Sequence, residues 1–149
     1  MTKKIYIGSD HAGFRLKEYC KSILNEKGYD VMDMGAQTLT LEDDYTDFAH
    51  RVAQKVIEDR GSFGMLFCDT GSGMCIAANK TQGIRAVNAW NPEIAHDARF
   101  DNDANILCIA QKMVPEGALE AIVNEWLVTP FSQEERHIRR IQKIEKSLV

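Results

Sequence analysis

Short apolar runs alternate with amphipathic stretches along almost the whole of this 149-residue chain, and that alternation restricts the fold more than any other feature. The first run, "KKIYIGS", reads as a strand. Residues 13–27 then carry Phe14, Leu16, Tyr19, Cys20, Ile23 and Leu24 at helical spacing until Gly28 stops them. "YDVMDMG" is a second strand, and residues 46–60 form a helix with Phe48, Val52, Val56 and Ile57 on one side. Strand "GMLFC", a helix from about Gly73, strand "GIRAVNA", a helix over 92–100 opened by Pro92, strand "NILCIA" and a helix over 115–127 follow; a last helix covers about 131–147. This order predicts a five-stranded parallel sheet with helices on both faces, a doubly wound α/β fold with an extra C-terminal helix. With 44% hydrophobic residues in 149, the chain can fill one core, so 1–149 reads as a single domain.

Charge narrows the partners. The formal net charge is −4 and the longest basic runs are the pairs Lys3-Lys4 and Arg139-Arg140, which argues against nucleic acid and anionic membranes. Lys4 leads through Ile5-Tyr6-Ile7 straight into "GSDHAG", with no apolar leader run and no stretch near the ~18 residues of a membrane span. The expected location is the cytoplasm. Cys20, Cys68, Cys75 and Cys108 form no C-x-x-C pair and are expected as free thiols.

Sheets of this kind bind ligands beyond the carboxyl ends of their strands. "GSDHAGF" with Asp10 and His11 follows the first strand, and "CDTGSG" follows the third. Asn88 to Asn91 and the polar run "DNDAN", Asp101 to Asn105, are expected to join them in a polar pocket on one edge. The irregular segment 35–46, "GAQTLTLEDDYT", is long enough to be functional.

Known loop signatures fit poorly. Gly71 and Gly73 give G-x-G, but Ile76 stands at the third glycine of a dinucleotide fingerprint, and Asp33 is a weak ribose-binding acid. Gly8 to Gly13 is followed by Phe14, where a P-loop needs lysine. Met74 occupies the arginine position of a cysteine phosphatase. A Cys-His hydrolase stays open, because its partner histidine is distant in sequence. His50, His96 and His137 show no metal spacing and read as surface or helix residues, so neither metal nor other cofactor is expected. What "CDTGSG" can do is hold an oxyanion: amides of Thr70 to Gly73 at a helix start form a donor cradle, and the helix dipole favours the thiolate of Cys68. On position alone, Cys68 reads equally as the last core residue of its strand.

"GSDHAGFRLK", "CDTGSGMCIAANKTQGIRAV", "DNDANIL" and "ERHIRR", in this order, resemble the type B ribose-5-phosphate isomerase family, which includes galactose-6-phosphate isomerase subunits and tetrose-phosphate isomerases. The resemblance covers essentially the whole chain. It implies a Rossmann-like or flavodoxin-like domain, dimeric or tetrameric, with sites shared between subunits, and aldose–ketose interconversion through a cis-enediolate. By the same resemblance Cys68 is the general base, Thr70 assists proton exchange, and the amides of Gly71, Ser72 and Gly73 hold the enediolate. Asp10 and His11 contact substrate, Tyr45 lines the pocket, and Asn102 reaches in from the neighbouring subunit. Arg136 and Arg140, on one face of the last helix, grip the phosphate. Without the resemblance, Arg136 and Arg140 read as a solvated face with Arg139, Lys143 and Lys146, His11 as a helix cap and Tyr45 as a loop anchor.

Three positions depart from the family pattern. Asp69 replaces a usual glycine and sets a carboxylate next to Cys68 in sequence. Lys112 replaces an arginine of the phosphate site. Asp101 replaces the histidine that opens the furanose ring, and is itself the candidate for that task. Ribose 5-phosphate remains the first expectation. Erythrose or erythrulose 4-phosphate, a hexose 6-phosphate, or a non-catalytic protein that binds a sugar phosphate are the alternatives.

Overall fold

The computed structural model of the protein describes residues 3–146. Five strands, β1 (Lys4–Ser9), β2 (Asp30–Asp33), β3 (Phe63–Cys68), β4 (Ala86–Asn88) and β5 (Ile106–Ala110), alternate with α1 (Phe14–Glu26), α2 (Tyr45–Glu58), α3 (Ser72–Ala78) and α4 (Pro92–Asn102). Two further helices, α5 (Glu116–Val128) and α6 (Glu135–Lys146), follow the last strand. Every strand pairing is parallel and the order across the sheet is β2-β1-β3-β5-β4. This is the α/β architecture expected from the alternation. Within it, β5 stands between β3 and β4, whereas flavodoxin order puts the fourth strand next to the third.

Side chains alternate across the central strands, so each strand feeds two cores. Ile5, Ile7, Phe63, Met65, Phe67, Leu107 and Ile109 meet α1, α4 and α5 on one face. Tyr6, Leu66, Cys68, Ile106 and Cys108 meet α2 and α3 on the other. Both faces are therefore apolar, and the strands read as nearly unbroken hydrophobic runs.

Three boundaries move. The buried stripe of α2 is Phe48, Ala49, Val52, Ala53 and Val56, while Ile57, expected on it, is 37% exposed: it lies ~100° round the helix from Val56. The helix expected over 92–100 continues to Asn102, so Asp101 and Asn102 form its last turn and Asp103 is the left-handed cap at φ 44°. The last helix starts at Glu135, four residues later than expected, after Gln133 at φ 60°; its expected end at 147 lies outside the described residues.

A buried lysine is unforeseen in the periodicity. Lys17 on α1 has no exposed side-chain area, and its Nζ donates to Asp33 Oδ1 at 2.9 Å, Asp33 Oδ2 at 2.8 Å and the carbonyl of Ala36 at 2.6 Å. The ion pair ties α1 to the end of β2 and fixes the chain where segment 35–44 leaves it. That segment continues the sheet edge: Ser9 N–H donates to Gly35 O at 2.7 Å and Ala36 N–H to Ser9 O at 2.8 Å.

Candidate active site

The carboxyl ends of β1 and β3 bring the first set of candidates together. Gly13 N–H donates to Asp10 Oδ1 at 2.9 Å, which bends the chain after β1 into α1. Gly13 lies directly on β3, because a Cβ there would stand 2.1 Å from the carbonyl carbon of Phe67 and 2.5 Å from Cys68 N. The first loop is thus pressed against the strand end that carries the thiol. Beside it, Asp43 Oδ1 accepts from His11 N–H at 3.0 Å and lies 2.6 Å from His11 Nδ1. That bond holds the imidazole pKa above its ordinary value.

Cys68 is 5% exposed, and Gly71 N–H donates to its Sγ at 3.0 Å. Burial pushes the thiol pKa up; the amides of Gly71 and Met74 pull it down, and Asp10 adds to the rise. The net direction is upward, which corrects the thiolate-favouring helix start expected above: α3 has only seven residues, and desolvation outweighs its amides. Asp69 is exposed, and the carboxylate that bears on the thiol is Asp10, itself raised by burial.

The cradle is more economical in donors than the sequence suggests. Gly71 spends its amide on the sulfur. Ser72 N–H reaches only Thr70 Oγ1 at 3.4 Å, and Gly73 N–H has no partner among the described residues, so these two amides are free for a ligand oxygen. Gly71 has φ +73°, and a Cβ on it would meet Asn88 Oδ1 at 2.4 Å. A Cβ on Gly73 would meet the Tyr45 ring at 2.7 Å, so Tyr45 lies against the loop as a pocket wall does. Asn88 Nδ2 donates to Thr70 O at 2.9 Å and holds the loop from below. Lys112 reaches the same edge, its N–H donating to Asp69 O at 3.0 Å.

Asp101, Asn102, Arg136 and Arg140 do not join them, and the single-edge pocket expected for "DNDAN" is corrected here. α4 leaves the carboxyl edge after β4 and runs about 16 Å to the amino edge. There Asn105 N–H donates to Arg85 O at 3.0 Å and Arg85 Nε to Asn102 O at 3.1 Å. α6 packs on that same end: Arg85 Nη1 donates to Glu145 at 2.8 Å, and Arg136 pairs with Glu134 at 2.7 Å. His137 is on a helix as expected but is 2% exposed, with Nδ1 2.8 Å from Ser132 Oγ and Nε2 3.5 Å from Asp101. Within one chain the thiol edge and the arginine edge face apart.

Asn88 stands at this edge as expected, and Asp43 is a functional neighbour that sequence reasoning missed as an individual. Asp43 belongs to the segment flagged for its length, but its partner is 32 residues away. Among the described residues no three His, Cys, Asp or Glu side chains gather as a metal site, and no helix is long and apolar enough to cross a membrane.

A parallel α/β sheet that presents a buried thiol and two unspent helix-start amides at its carboxyl edge has the build of a small-molecule enzyme acting beside a developing oxyanion. The chain belongs to the Ribose/Galactose Isomerase family, whose sequence model matches residues 5–144. It is 38% identical over 138 residues to ribose-5-phosphate isomerase B of Mycolicibacterium paratuberculosis, covering 93% of this chain and 87% of that protein. The crystal structure of a ribose 5-phosphate isomerase from Thermotoga maritima is 42% identical, with TM-score 0.94 over 98% of this chain and 99% of that one. Ribose-5-phosphate isomerase B from Mycoplasma genitalium, solved with bound ribulose-5-phosphate, is 38% identical with TM-score 0.93 over 99% and 97% of the two chains.

The thiol gives a direct pH test. Because burial raises its pKa, the Cys68 thiolate accumulates only as pH climbs past the ordinary thiol range. Iodoacetamide labelling of the Cys68 peptide, read by mass spectrometry, is expected to reach half its limiting rate at a higher pH than an exposed, unperturbed thiol does. A midpoint below that of an exposed thiol would mean that the amides outweigh burial.

Proposed function

We propose that the protein interconverts ribose 5-phosphate and ribulose 5-phosphate through a cis-enediolate. On this reading the single domain 1–149 works in the cytoplasm as a homodimer or tetramer whose sites are shared between chains. The observation that carries the reading is the Cys68 edge: a sulfur held by the Gly71 amide at 3.0 Å, with the Ser72 and Gly73 amides unspent beside it. Cys68 as thiolate takes the proton from C2 of the open-chain aldose, and the electron pair moves to the carbonyl oxygen. The free amides meet the charge that develops there, and Thr70 exchanges protons between the two oxygens. The thiol then returns its proton to C1. His11, held by Asp43, and Asp10 orient the sugar hydroxyls.

The opposed edges support a shared site. Arg136 and Arg140 cannot reach the Cys68 of their own chain, whereas a second copy would bring its arginines and Asn102 to that edge, with Lys112 adding a charge. The four free thiols support a reducing compartment.

Asp101 favours a second reading, a tetrose 4-phosphate. A pentose 5-phosphate closes to a furanose and must be opened by proton transfer at the ring oxygen; a tetrose 4-phosphate has that hydroxyl esterified and stays open. A coupled assay on tetrose, pentose and hexose phosphates, run with the native protein and Asp101→Asn, tests both readings. Turnover of ribose 5-phosphate is expected, with Asp101→Asn slowing it at least ~10²-fold more than a tetrose phosphate, the lower part of what general acid–base catalysis contributes. Equal slowing on both sugars removes Asp101 from ring opening, and turnover of the tetrose alone replaces the pentose reading.

A further inference from the structure

A cavity of about 940 Å³ opens at the amino ends of the strands, on the edge of the sheet away from Cys68. Its charged lining is Lys3, Arg60, Arg85, Arg99, Asp103 and Glu145: four cations and two carboxylates, in a chain whose formal net charge is −4.

The carboxylates are already engaged. Glu145 pairs with Arg85 at 2.8 Å, and Asp103 bridges Arg85 at 3.2 Å and Arg99 at 2.9 Å. Lys3 and Arg60 have no ion pair among the described residues; Lys3 Nζ lies 3.8 Å from the centroid of the Phe63 ring. Burial, and after it the charge of Arg99, hold the Lys3 pKa below its ordinary value, with Asp103 partly offsetting the two.

Cations on a solvated surface need no partner. This cavity differs because part of it is built and immobile. The Arg99 side chain is fixed by the rings of Phe63 and Trp126, 4.6 and 5.6 Å from its guanidinium carbon. Arg99 and Ser62 are each 5% exposed, and each has a buried polar atom, Nε and Oγ, with no protein partner. Arg99 Nη1 is spent on Asp103 and the Ala104 carbonyl, but its Nε, the Ser62 hydroxyl and two rim cations outside any ion pair among the described residues leave donors in excess of acceptors.

We propose that this cavity is a second ligand site, distinct from the Cys68 edge, which takes a small phosphorylated anion between Lys3, Arg60 and Arg99. Phosphate suits the set because its oxygens can meet two guanidiniums and an ammonium at once, which a single carboxylate cannot. The volume leaves room for an organic body beside the phosphate.

Inorganic pyrophosphate is the probe, titrated calorimetrically into the assembled protein. Two classes of site are expected. Arg136→Ala with Arg140→Ala should remove one class. Lys3→Ala with Arg60→Ala should weaken the other by roughly 10- to 100-fold and leave the first intact. Lys3 and Arg60 are exposed, so the unliganded unfolding midpoint should not move; Arg60→Glu alone repeats the test if it does. A single class, lost with Arg136 and Arg140 and indifferent to Lys3 and Arg60, overturns the proposal, as does no binding at all. One class that depends only on Lys3 and Arg60 upholds it, while withdrawing the phosphate role of Arg136 and Arg140.

Discussion

Cys68→Ser is expected to lower kcat by roughly 10²- to 10⁴-fold and to leave binding of a phosphorylated enediolate mimic nearly unchanged. Serine keeps the shape of the side chain and can still accept the Gly71 N–H that now lies 3.0 Å from the sulfur. Its much higher pKa removes the base. Near-normal kcat in the variant would take the proton transfer away from Cys68. The same variant tests the two-chain site: mixed with inactive Arg140→Ala chains, it should regain activity in hybrid assemblies, where one site has both intact halves. Hybrids that form without regaining activity would put the whole site in one subunit.

Gly13→Ala is expected to destabilise the fold by more than about 3 kcal/mol, above the usual range for a single surface change. The added Cβ would stand 2.1 Å from the Phe67 carbonyl carbon, 2.2 Å from its oxygen and 2.5 Å from Cys68 N. These are backbone atoms of a central strand, so no rotamer change relieves the contact. Gly117 in α5 has nothing within 4 Å of its Cβ position, and Gly117→Ala should be neutral or stabilising by up to ~1 kcal/mol through helix propensity. Denaturant midpoints for the two variants check the contrast; comparable shifts would rule out the close packing of Gly13 on β3.

The legibility of this chain follows the range of the interactions involved. Ile5-Tyr6-Ile7 and Met65-Leu66-Phe67-Cys68 announce buried parallel strands because successive residues, which face opposite sides of the sheet, are all apolar. The position of β5 between β3 and β4 has no local signal, since strand order is decided by which helices cover which face. Lys17 occupies an inward position on α1; only Asp33 and the Ala36 carbonyl, brought in by β2, make its burial tolerable. The end of α4 is hard to place from sequence because Asp101 and Asn102 are polar and poor helix formers, yet they close its last turn under the Asp103 cap. At the site, the loop "CDTGSG" was visible as a chemical unit. Asp43, which holds His11, is not, because a carboxylate that supports a distant residue leaves no mark in spacing; for the same reason Asn88, expected at this edge, gives no sign in the sequence that its partner is Thr70. The upward direction of the Cys68 pKa depends on its burial between α2 and α3, which a motif does not encode.

The course of α4 from one rim of the sheet to the other bears on how such a protein diversifies. Substitutions in its last turn alter Asp101 and Asn102 without disturbing the strand end that carries the thiol. On the proposed roles of Asp101 and Cys68, sugar preference can then drift while the proton chemistry is inherited intact. After gene duplication, one copy could keep the thiol rim and the other the arginine rim, and each would be preserved by its dependence on the other. A site divided between two chains as proposed gives selection two independent handles, and makes a mixed assembly of diverged chains an accessible evolutionary state.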